Sequence, residues 1–131
     1  MARRLLLLLT VTLVAATPPP PLDRTKRVRS GIASFYGHSE AGRTTASGKP
    51  LDPRRMTAAS RTLPLGTRAK VVNEETGKSV QVTIIDRGPY AKGRVLDVTP
   101  KAAEQLGMTH DGVAPVMVKP VALPPPPPPS R

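Results

Sequence analysis

The chain has 131 residues, with 17 Pro, 10 Gly, no Cys and three aromatic residues, Phe35, Tyr36 and Tyr90. That length admits one small domain, and the lack of Cys excludes disulfides and a lipid-bearing thiol. The formal charge of +11 favours anionic partners by long-range attraction, yet nucleic acid is excluded: stacking aromatics are scarce and the chain opens on an export signal.

That signal is "MARRLLLLLTVTLVAAT". Arg3 and Arg4 precede an apolar run from Leu5 to Ala16, which is too short for a bilayer span of about 20 residues. Residues 1–16 therefore read as a signal peptide, with Val14 and Ala16 at positions −3 and −1 and cleavage after Ala16. The alternative is an uncleaved anchor. Cleavage lowers the net charge by two, leaves no membrane anchor, and places a non-lipidated protein in the periplasm or outside the cell. Residues 17–30 form a Pro-rich linker carrying Arg24, Lys26, Arg27 and Arg29. The folded unit is expected at 31–121, and 122–131 is a polyproline tail that recruits a partner or acts as a spacer.

Within the folded unit, Gly31–Gly37 alternates as a first strand. Residues 38–55 are rich in Gly, Ser, Thr and Pro and read as a long loop. Met56–Ala59 reads as a short helical turn, ended by Pro64 and Gly66. Strands at 67–73 and 79–85 flank a turn through Glu74–Lys78, and 94–99 is another short strand. One helix follows: Thr99 at the N-cap, Pro100 at N1, an apolar stripe of Ala102, Ala103 and Leu106, and Gly107 at C′. Residues 112–121 close the domain as a strand. Short strands with one short helix predict an all-β fold of small α content, closed into a small barrel.

Polar residues stand out against this pattern. In "VTIIDRGPY" the alternation puts Asp86 on the same face as Val80, Val82 and Ile84. Either Asp86 closes an Asx-type turn over Arg87-Gly88-Pro89, or it sits at the rim of a groove. On the apolar face burial raises its pKa, while Arg87 or Arg94 nearby lowers it. Asp97 either ends its strand or is a second acidic group of that groove; if the two Asp residues are close, they share one proton. Asp52 precedes Pro53 and is a turn residue or a substrate contact. Tyr36 and Tyr90 can offer a ring face to a sugar or fill the barrel mouth. His38 and His110 have no third ligand at zinc-like spacing, so neither a metal site nor a cofactor is predicted.

Three blocks together, "TTASGKPLDPRRMTAASRTLPLGT", "VQVTIIDRGPY" and "GRVLDVTPKAAEQLGM", resemble the RlpA-like lytic transglycosylases. The resemblance covers residues 31–121 and implies a six-stranded double-psi β-barrel. It also implies cleavage of peptidoglycan glycan strands, stripped of their peptides, to 1,6-anhydromuramyl ends. That reaction is intramolecular, so it needs one proton-transferring carboxyl system rather than the acid and water-activating base of hydrolysis. The resemblance assigns catalysis to Asp86 and Asp97, and substrate contacts to Asp52, Tyr36, Arg87 and Tyr90. Lys49 stands where the family usually has Glu, and Ser60 where it has His. The expected protein is a monomer acting on the cell wall. Two other readings are a non-catalytic, expansin-like glycan-binding module, and a basic accessory protein docked on acidic envelope polymers through its linker.

Overall fold

The computed structural model describes residues 6–13 and 21–129. The expected cleavage site after Ala16, the Arg3–Arg4 pair and the last two residues lie outside them. Among the described residues, no helix is long and apolar enough to cross a membrane.

Alternation along Ser79–Asp86 (β4) builds one wall: Val80, Val82 and Ile84 point into the core. It pairs antiparallel with Arg68–Asn73 (β3), whose Ala69 and Val71 are likewise fully buried. The expected hairpin is thus present. Arg29–Phe35 (β1), Thr57–Ala59 (β2), Arg94–Val98 (β5) and Val113–Ala122 (β6) complete a closed barrel in the order β1-β5-β2-β4-β3-β6. The β1–β5 and β2–β4 pairs are parallel and the other four antiparallel. This is the expected six-stranded double-psi barrel.

Two elements depart from expectation. Met56–Ala59 is not a helical turn: Thr57–Ala59 is β2, held between β4 and β5. Ala favours a helix locally, but two neighbouring strands offer its backbone hydrogen bonds that a lone turn cannot match. β1 also starts two residues early, with Arg29 and Ser30 opposite Val118 and Met117. The segment before it is bonded to the barrel: the Asp23 N–H donates to the Thr62 carbonyl at 2.8 Å, and the Asp23 carboxylate pairs with Arg27 and Arg29.

The helix Pro100–Leu106 (α1) covers one end of the barrel, burying Ala102, Ala103 and Leu106 as its stripe predicts. Its C′ residue Gly107 has φ +72° and returns its N–H to Ala103 and Glu104. The Thr99 side chain does not cap the helix; its hydroxyl donates to the Arg55 carbonyl, fastening the loop to α1. Asn73, also fully buried, donates to the Leu106 carbonyl at 2.8 Å and accepts from the Glu75 N–H at 2.9 Å. Gly31 is needed where β1 crosses β5, since a Cβ there would fall 2.3 Å from Val95 Cγ1.

Candidate active site

β2 sits between the two acidic strands, and its last residue organises them. Ala59 is opposite Asp86 on β4 and opposite Asp97 on β5. Two strand spacings of about 4.8 Å then separate the Asp backbones by roughly 10 Å. Ala59 is fully buried and carries only a methyl group, so nothing bulky intrudes between them. No hydrogen bond joins the two carboxylates, and each has its own set of partners. They do not share a proton directly, because the intervening strand holds them apart.

Asp86 is 4% exposed and richly bonded. Its Oδ2 accepts from the Tyr36 hydroxyl at 2.8 Å and from the Arg43 guanidinium at 2.9 Å, and its Oδ1 accepts from the Ala46 N–H at 2.9 Å. Burial alone pushes this carboxyl up. The Ala46 and Arg87 N–H groups, the Tyr36 hydroxyl and the Arg43 guanidinium outweigh burial and hold it below the usual carboxylate range. The balance left open by the sequence is thus settled toward the ionised form. Tyr36 moves the opposite way: burial, then the Asp86 carboxylate, pushes its hydroxyl far up, so it stays a donor.

Asp97 accepts a hydrogen bond from the Ser34 hydroxyl, which follows from the β1–β5 register placing Ser34 directly opposite. Asp97 and Tyr36 line a groove of about 600 Å³ with Arg43, Arg87, Tyr90 and Arg94. Tyr90 is 78% exposed beside the cis Gly88–Pro89 bond. Arg87 turns its guanidinium inward, donating to the Ser60 and Leu63 carbonyls at 3.0 and 2.7 Å. Although it lines the groove, its charge is spent on holding the 60–63 turn.

Asp52 does not reach this groove. It lines a separate pocket of about 480 Å³ with Lys49, Arg55, Thr57, Thr83 and Ile85. The Arg54 N–H first, then the neighbouring guanidinium groups, hold its carboxyl below the usual range. Ser60 is buried and accepts from the Thr62 and Leu63 N–H groups at 3.3 and 3.1 Å, so it serves the turn. His38 lies in a different cleft, with Phe35, Pro53 and Lys101. Among the described residues, no cluster of His, Asp and Glu could hold a metal ion.

Sequence reasoning missed Arg43, Ser34 and Glu40. Arg43 stacks its guanidinium 5.7 Å from the Tyr36 ring centre while bonding Asp86. Glu40, in the short 3-10 turn His38–Glu40, accepts from the Gly37 N–H at 3.0 Å and lies 4.0 Å from Arg43. Only the strand register could have singled out Ser34. For Arg43 and Glu40, inside a loop with no periodicity, the sequence held no signal.

The sequence profile of the family described as "Lytic transglycolase" matches residues 28–118. A probable endolytic peptidoglycan transglycosylase RlpA of Nostoc sp. is 54% identical over 91 residues, which are 68% of this chain and 24% of that protein. The endolytic peptidoglycan transglycosylase RlpA of Neisseria meningitidis serogroup A is 40% identical over 94 residues, 72% of this chain and 39% of that protein. The chain thus spans between about a quarter and two fifths of the length of these relatives. Among solved structures, an apo expansin of Clavibacter michiganensis superposes with a TM-score of 0.57 at 26% identity, covering 77% of this chain and 54% of that one. A papain inhibitor of Streptomyces gives 0.58 at 20% identity, covering 71% and 93%, a likeness of fold alone.

Proposed function

The chain belongs to the lytic transglycosylase family that includes the RlpA proteins, and from that premise we propose that it is an endolytic transglycosylase of peptidoglycan glycan strands. The observation that carries the reading is the pair of acidic residues flanking Ala59: Asp97 lines a groove of about 600 Å³, and Asp86 is bonded to the groove residues Tyr36 and Arg43. Asp86 and Asp97 are its acid/base pair, with unequal tasks.

Asp97, at the groove surface, gives a proton to the oxygen leaving the muramyl C1. The muramyl 6-hydroxyl oxygen closes on C1 and surrenders its own proton to the Asp97 carboxylate left by that transfer, so the bond breaks without water and Asp97 is returned to its starting form. The acceptor is part of the substrate, and proximity supplies much of the rate. Asp86, held ionised, supplies negative charge against the oxocarbenium character developing at C1. Of its donors, Arg43 is the one a sugar can displace, since its side chain is 47% exposed while Tyr36 is buried. Tyr90 offers an exposed ring for a sugar face, and Tyr36 and Arg87 shape the groove wall.

Excess positive charge fits a peptide-free strand, whose muramic acids carry free lactyl carboxylates. In this reading residues 1–16 export the chain to the periplasm, 17–30 lead into the barrel, and 122–131 form a tail. The protein acts there as a monomer without a cofactor. One observation favours a second reading, a non-catalytic wall-binding module: Lys49 and Ser60 occupy the positions of the family Glu and His, and the Ser60 hydroxyl is committed to its own turn.

The test is a digest of peptide-free glycan strands read by mass spectrometry, with wild type beside Asp97→Asn. Release of 1,6-anhydro ends by wild type and its loss in the variant supports the enzyme. Strand binding with no anhydro product in wild type establishes the binding module instead.

A further inference from the structure

Like charges meet directly on the outer face of the barrel. Lys70 on β3 is opposite Lys119 on β6. Both side chains point outward, because their chain neighbours Ala69, Val71, Val118 and Pro120 are buried. Arg68, two residues before Lys70, shares that face. Residues two apart on a strand are about 6.6 Å from one another and paired strands about 4.8 Å. Neighbouring cations in this group therefore fall inside the Debye length of about 8 Å at physiological salt and act together. Among the described residues none of the three pairs with a carboxylate. The adjoining strand offers none either: β4 places Thr83 opposite Arg68 and Gln81 opposite Lys70. Like charges directly opposite in a sheet are destabilising, so this face carries a repulsion that an anionic surface laid against it would offset.

Apolar residues beside these cations narrow the choice of partner. Val121 follows Lys119 by two residues on the same face of β6 and is 46% exposed. Val28, just ahead of β1, which borders β6, is 52% exposed. A soluble polyanion would engage the cations and leave both valines in water. A bilayer interface takes both kinds of group, with phosphate headgroups against the cations and aliphatic side chains at the boundary between headgroups and acyl chains. The closed strand order also puts β3 and β6 across the barrel from β5 and β2, so docking here leaves the groove beside Asp97 open.

We propose that the outer β3–β6 face, centred on Lys70 and Lys119, docks reversibly on a membrane surface bearing anionic phospholipids. This surface stands apart from the glycan-strand reading and needs no covalent anchor.

Flotation of the full chain tests this, with vesicles of phosphatidylcholine alone or in equal mixture with phosphatidylglycerol. Binding to the neutral vesicles measures what the apolar run at 5–16 contributes. Wild type should exceed it on the anionic vesicles, by an amount that falls with added salt. Each cation at such a surface is worth roughly fivefold in partitioning, so Lys70→Gln/Lys119→Gln should cut the excess roughly 25-fold. Lys78→Gln/Lys101→Gln removes as much charge beside α1 and should stay close to wild type. Val121→Ser should weaken vesicle binding but keep its affinity for soluble polyglutamate. Lys70→Glu sets opposite charges across the strands, so it should melt higher than wild type while binding vesicles less, which separates lost docking from lost folding. No excess on anionic vesicles overturns the proposal. So does an equal loss in the two double variants, since binding then follows total charge, and so does capture by polyglutamate alone, which makes the partner a polymer. A Lys70→Glu protein that melts lower than wild type removes the like-charge premise and overturns it too.

Discussion

Exchange of Asp86 for Asn keeps the side-chain shape but removes a charge and turns an acceptor into a donor. In the native protein Tyr36, Arg43, Ala46 and Arg87 all donate to this carboxylate. The Asn oxygen can keep the Ala46 and Arg87 N–H groups. Its amide then faces the Tyr36 hydroxyl and the Arg43 guanidinium, two donors against a third. Arg43 is half-exposed and recovers water, whereas Tyr36 is 5% exposed and does not. One buried polar group left unpaired costs about 1–3 kcal/mol. For a domain of this size each kcal/mol lowers the melting temperature by about 4–8 °C. The native carboxyl sits below the usual value of about 3.9 for an unfolded Asp, so its contribution is complete above that value and lost as pH falls through the folded-state pKa. Thermal melts by circular dichroism across pH should show wild type and variant separated at neutral pH and converging in acid. Release of anhydro ends should fall by about 10²- to 10³-fold, as for loss of a preorganised group that stabilises transition-state charge. A variant melting within about 1 °C of wild type at neutral pH, or a gap that persists unchanged into strong acid, refutes the assigned hydrogen-bond network.

Arg43→Gln removes a cation and leaves Asp86 easier to protonate, so the acid limb of kcat/KM should move to higher pH; an unmoved limb means that the limb belongs to another group. Gly31→Ala puts a methyl group against the stiff Val95 side chain and should cost about 1–3 kcal/mol in denaturant melts. The double variant with Val95→Ala should regain part of that loss, and failure to do so would place the strain elsewhere. Asn73→Ala strips partners from the Leu106 carbonyl and the Glu75 N–H, a loss of about 1–3 kcal/mol; hydrogen exchange should show it first at the C-terminal turn of α1.

The parts of the barrel that the sequence displays are those built from local pattern. Val80, Val82 and Ile84 alternate, Glu74–Lys78 makes a tight turn, and Thr99, Pro100 and Gly107 bracket a helix. β2 was hidden because three residues are too few for a period, and its partners come from residues 83–86 and 97–98. At the site, Asp86 and Asp97 were visible as carboxylates ending apolar strands. Their surroundings were not. The hydroxyl of Tyr36, the guanidinium of Arg43 and the N–H of Ala46 reach Asp86 across 50, 43 and 40 residues, and their combined pull reverses the pKa direction that burial alone predicts. Family motifs marked the position of Lys49, but only the structure shows that the ammonium lines a pocket whose acidic residue is already paired.

The closed strand order also bears on when the domain can form. Between its neighbours β5 and β6, the first strand finds both partners more than sixty residues downstream, and β3 needs β6 as well. Only the β3–β4 hairpin can assemble from nearby chain. Non-local pairing of this kind slows folding, because loop closure must be paid for before contacts reward it. A chain that lacks only its last strand therefore has no closed barrel, because β1 and β3 each miss the partner that Val113–Ala122 supplies.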